Sequence, residues 1–202
     1  MSDDHPGVTA ASSRGEDPVR SLGPEADPGP IGKRPAIVRI GRFVAAHFAT
    51  YRRLGKWPFL WRISLEGMLV PCGLLLAADA LFSVPHRTDL DGLGLGRLFL
   101  VAVVLAPFFE TLVSQALPIM LVRRCGGGFW TQVFTSVVVF AVCHLSSGIS
   151  TVIFAGVLGG FYHAFTYAHW RETSFQSALW LTAGSHALHN LTLIAIIGLA
   201  DS

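Results

Sequence analysis

From residue 67 onward the chain consists mainly of apolar stretches, each long enough to cross a bilayer and nearly free of charge, at about 67–84, 95–122, 129–147, 149–168 and 175–199. A bilayer core asks for roughly 17 to 25 apolar residues per helix and offers no water to an unpaired backbone group. Such segments therefore fold as helices whose hydrogen bonds close internally. No period-2 alternation competes with that pattern. The predicted fold is all-α, a polytopic membrane helix bundle of about five transmembrane helices over residues 67–202. With 51% hydrophobic and 14% charged residues and a mean hydropathy of +0.52, an ordinary soluble domain is excluded.

Residues 1–35 are rich in Pro, Gly, Ser, Asp and Glu and contain no aromatic residue, which predicts a disordered cytoplasmic tail. Residues 36–66 mix Arg39, Arg42, Arg52, Arg53, Lys56 and Arg62 with Phe43, Phe48, Trp57 and Trp61. This mixture suits a basic amphipathic segment at an anionic membrane surface, or a plain basic flank that orients the first span. Arg123, Arg124 and Arg171 share a side with that segment if the N-terminus is cytoplasmic and the spans alternate. A net charge of +2 without a basic patch gives no reason to expect a nucleic-acid partner. The three cysteines, Cys72, Cys125 and Cys143, lie far apart and form neither a disulfide framework nor a cysteine-based zinc motif.

The second span carries Glu110, the third His144 and the fifth His186. These lie 13, 15 and 11 residues from Arg123, Phe129 and Phe175 respectively. At about 1.5 Å per residue, all three sit roughly 16 to 23 Å from the same side. An ionisable group at that depth costs several kcal/mol unless paired or hydrated, so each marks a functional site by default. His186 and Asn190 are four residues apart on one helix face, as are Phe140 and His144, Glu110 and Ser114, and Thr111 and Gln115. Pro107 removes a backbone donor one turn before Glu110 and predicts a kinked or opened helix there.

The ordered motifs "ETLVSQ" at 110–115, "FAVCH" at 140–144 and "HALHN" at 186–190, with "GVLGGFYHAFTY" between the last two, resemble the CPBP family of intramembrane proteases. That family is also called Abi or CAAX-protease and bacteriocin-processing proteins. The resemblance covers about residues 95–195 and makes Glu110 catalytic. It also implies a substrate class of membrane-associated polypeptides, some with a lipidated or hydrophobic C-terminus, and a bacterial cytoplasmic membrane. The family's first motif carries two consecutive glutamates and an arginine four residues after the second. Here Thr111 and Gln115 replace that charged pair together, at a spacing that lets them hydrogen-bond.

Read from the residues alone, Glu110 serves as general base toward a water, with His144 sharing its activation. His186 and Asn190 donate hydrogen bonds to the oxyanion of the tetrahedral intermediate, and Thr111, Gln115 and Phe140 support them. The scheme requires no cofactor, although Glu110, His144 and His186 also make a His2Glu set able to hold zinc with one position left for water. Other protease chemistries fit poorly: there is no HExxH, no GxSG, and Asp79 has no second aspartate within the spans. His163 and Tyr167 read as an interhelical polar contact, His189 as a flank residue, and Gly156, Gly159 and Gly160 as close-packing positions. Two readings stand side by side: an intramembrane peptidase, and a non-catalytic membrane scaffold, such as an immunity or secretion-accessory protein, that keeps the family bundle.

Overall fold

The computed structural model describes residues 36–82 and 94–200, and every regular element among them is helical. We number the helices α1 (Ala36–Tyr51), α2 (Lys56–Phe82), α3 (95–124), α4 (Phe129–Cys143), α5 (Ile149–Arg171) and α6 (Phe175–Ala200). The chain folds as the polytopic helical bundle its apolar pattern predicts. Lys56–Phe82, Gly96–Arg124 and Ile149–Arg171 are each long and apolar enough to cross a membrane. α4 is apolar but has only 15 residues, and α6 has 26 residues with no acidic or basic side chain other than its histidines. The predicted tail at 1–35 lies outside the described residues. Residues from Phe43 onward form one compact unit; of the unit preceding it, residues 36–42 are described, as the start of α1.

The first span starts earlier than its apolar run. α2 is continuous from Lys56 through residue 67, because Phe59 and Ile63 are fully buried and extend the packed face toward the N-terminus. Aromatic rings fill that end of the core: Phe48 of α1 lies 4.7 Å from Phe165 of α5 and 5.1 Å from Phe161, centroid to centroid. Within this packing sits a carboxylate that the sequence reading passed over. Glu66 of α2 accepts hydrogen bonds from His47 Nε2 at 2.9 Å, from the Tyr162 hydroxyl at 3.1 Å, and from the Tyr51 hydroxyl. Burial, and then the adjacent carboxylate, push the Tyr51 phenol well above its usual pKa. Residues of α1, α2 and α5 thus meet at one acceptor.

α3 departs furthest from a regular helix. Two π-helical turns, Leu100–Leu105 and Thr111–Ala116, flank the short α-helical stretch Ala106–Glu110. Each is associated with a proline. In the first, Ala106 N–H reaches back five residues to Val101, so the next donor in that register would belong to Pro107, which has none. The carbonyl this leaves, that of Ala102, accepts instead from Asn190 Nδ2 of α6 at 2.8 Å. In the second, Leu117 N–H reaches back five residues to Leu112, and Pro118 offers no donor to continue the helix. The nearby carbonyl of Ser114, four residues before Pro118, accepts from Ser136 Oγ of α4 at 2.7 Å. Neighbouring helices thereby satisfy both groups, which a bilayer requires.

This pairing predicts a thermodynamic coupling. Ser136→Ala is expected to cost about 1–2 kcal/mol, the penalty of stranding a buried carbonyl. In a Pro118→Ala background, where a backbone N–H returns to the helix, the same substitution is expected to cost less. Reversible unfolding of the four variants in mixed lipid–detergent micelles measures the difference, and equal costs in both backgrounds would contradict the pairing.

Candidate active site

Glu110 closes the α-helical stretch of α3, between its two π turns. His144 is the residue after the last turn of α4; the chain then passes through a short 3-10 turn at Leu145–Ser147 and Gly148, whose φ of 97° favours glycine. His186 and Asn190 stand one turn apart on α6. The fold brings these four residues and Phe140 to the wall of one cavity of about 130 Å³. That is room for several waters, since each needs only about 10–15 Å³ of such space.

The polar groups hold definite orientations. His144 Nδ1 lies 2.8 Å from the carbonyl oxygen of Phe140. A carbonyl only accepts, so Nδ1 carries the proton, and in the neutral ring the Nε2 lone pair is free. The His144 ring also packs on Phe140, with centroids 4.6 Å apart. His186 is buried and points Nε2 toward Glu110 Oε2 at 3.6 Å, while Glu110 itself remains 35% exposed. Asn190 spends one amide N–H on Ala102 and keeps a second, because a side-chain amide has two.

Two expectations need correction. Thr111 and Gln115 are fully buried, yet neither Thr111 Oγ1 nor the Gln115 amide has a hydrogen-bond partner among the described residues. They lie in the π turn Thr111–Ala116, where backbone N–H groups reach back five residues, and their side chains do not pair with each other. His163 makes an interhelical contact, though not through Tyr167, and His189 is more than a flank residue in position, since both line the cavity. The His163 ring stacks on His186 at 4.4 Å and meets His189 edge-on at 5.8 Å, while the Tyr167 hydroxyl has no hydrogen-bond partner among the described residues. Among the described residues, no three His, Cys, Asp or Glu side chains are arranged to hold a metal ion.

The molecule is a helical membrane bundle with a carboxylate, imidazoles and an amide gathered from separate helices around a small cavity large enough for water. Residues 93–192 match the family model described as Type II CAAX prenyl endopeptidase Rce1-like. The match supports intramembrane protease activity at family level. No curated protein and no solved structure matches the chain.

Close packing of α4 on α5 positions the cavity wall. A Cβ at Gly160 would fall 2.7 Å from Phe140 Cδ1, and one at Gly156 would fall 2.9 Å from Ala141 Cα. Gly160→Ala must therefore move the Phe140 ring, which touches His144, His163 and His186. The expected result is a folded protein with turnover reduced about tenfold or more, because small displacements of reacting groups are costly. Gly73→Ala, where nothing lies within 4 Å, is expected to change neither property. Assaying both variants for cleavage products at matched abundance makes the comparison.

Proposed function

We propose that this protein is an intramembrane endopeptidase that hydrolyses peptide bonds of membrane-associated polypeptides, including those with hydrophobic or lipidated C-termini. The observation that carries the reading is the meeting of Glu110, His144 and His186, from three separate helices, on one water-sized cavity inside an apolar bundle. Glu110 takes a proton from a water as that water attacks the scissile carbonyl carbon. The free Nε2 of His144 accepts from the same water and fixes its direction. His186, with its proton on Nε2, and the second N–H of Asn190 donate to the oxyanion. The proton held by Glu110 then passes to the departing amine as the C–N bond breaks. The name of the matching family supports the lipidated substrate class.

Thr111 and Gln115 do not line the cavity. Exchange of the family's charged pair for these two residues therefore leaves the reacting groups unchanged, which favours the peptidase over the scaffold. The proposal also places the N-terminus in the cytoplasm, on the side of Arg123, Arg124 and Arg171, with the chain in a bacterial cytoplasmic membrane.

New peptide N-termini in membranes containing the native protein, compared with Glu110→Ala at matched abundance, test the reading. Cleavage products are expected only with the native chain; matching profiles would return the scaffold reading. On a substrate so identified, His144→Ala is expected to lower kcat about 100-fold or more, the usual contribution of a positioned acid–base group. Since the proposed steps use only protein groups and water, 1,10-phenanthroline is expected to leave turnover unchanged. Inhibition reversed by added zinc would reassign Glu110, His144 and His186 as ligands.

A further inference from the structure

We propose that His163 is a positioning residue for His186, and that stacking between the two imidazoles holds the His186 ring toward Glu110. The two mechanistic histidines are anchored differently. His144 is fixed by a hydrogen bond from Nδ1 to the Phe140 carbonyl. His186 has no such anchor, because its buried Nδ1 has no hydrogen-bond partner among the described residues. Ring contacts take its place. His163 lies against one face of His186, with centroids 4.4 Å apart and planes 24° from parallel. Phe140 meets the ring at 5.8 Å and 74°. These neighbours come from α5 and α4, so two helices determine the plane in which His186 Nε2 faces Glu110.

His163 is held by burial and ring contacts, its own Nδ1 having no hydrogen-bond partner among the described residues. It is 3% exposed and meets Phe140 edge-on at 6.1 Å and His189 at 5.8 Å. The stacked arrangement also limits what His163 can do. Imidazole nitrogens donate and accept in the plane of the ring, so two nearly parallel, stacked rings present faces to each other rather than N–H to lone pair. A proton relay between them is therefore disfavoured, and orientation is the role the geometry fits. Offset or tilted stacking of this kind is a favourable aromatic contact in a buried site. The kinetic consequence rests on the peptidase reading given above; the orienting contact does not.

The test compares full-length native protein, His163→Ala and His163→Phe in lipid nanodiscs. The kinetic probe is a peptide spanning a cleavage site mapped by the N-terminus experiment. His163→Ala is expected to lower kcat about 100-fold, as loss of orientation does, with KM little changed. His163→Phe restores a flat ring without nitrogens and is expected to recover kcat to within about tenfold of native, since stacking rather than hydrogen bonding is retained. Native kcat in a folded His163→Ala protein would overturn the proposal, as would a His163→Phe variant no better than His163→Ala. A second readout is independent of turnover. In protein labelled with ¹³C and ¹⁵N at histidine, the His186 ring signals are expected to move in His163→Ala and to stay close to native in His163→Phe. If native protein and Glu110→Ala cleave nothing differently, the peptidase reading fails and these signals alone decide: unchanged His186 signals in His163→Ala refute the stacking.

Discussion

A backbone carbonyl inside a bilayer must find a donor, and two prolines in α3 take donors away. Each proline-containing turn presents a carbonyl that its own helix does not satisfy, and each is answered from outside, Ala102 by Asn190 and Ser114 by Ser136. These two bonds tie α3 to α6 and to α4, the helices that carry His186 and His144. The same irregularity that disrupts the helix therefore also fixes the distance across the cavity. Asn190 illustrates the economy of this arrangement, since one of its N–H groups completes the backbone of α3 while the other remains available to the cavity.

The site also depends on how closely its walls approach. α4 ends at Cys143, so that His144 stands at a helix end, where the backbone turns and the imidazole reaches the carbonyl of Phe140. Gly160 of α5 lets the Phe140 ring lie almost on backbone. Phe140 consequently touches three imidazoles from three helices and acts as a common spacer for them. An aromatic ring in that place transmits position without competing for hydrogen bonds.

Much of this arrangement was legible in the sequence, and the reasons are physical. Membrane helices advertise themselves by length and apolarity, and counting residues from a charged flank gives depth, so Glu110, His144 and His186 could be placed in one layer before any fold was known. Helical spacing put His186 and Asn190 on one face. That same spacing did not pair Thr111 with Gln115, which lie in a π turn that nothing in the local sequence beyond the nearby prolines announces. His163 escaped for a different reason: its important partner is 23 positions away on another helix, and no periodicity rule reaches across an interhelical contact. Glu66 escaped because it stands amid arginines and tryptophans that read as membrane surface, whereas its three donors come from α1 and α5.

The convergence on Glu66 bears on where this protein's folding unit begins. Its family match spans residues 93–192, which leaves α1 and α2 outside. Yet His47 and Tyr51 cannot leave Glu66 without stripping a part-buried carboxylate of donors, and Tyr162, which shares that carboxylate, is the immediate neighbour of His163 in the chain. The matched region is thus a segment of ancestry rather than a segment of stability. α2 and the part of α1 from Phe43 onward belong to the same compact unit as the matched region.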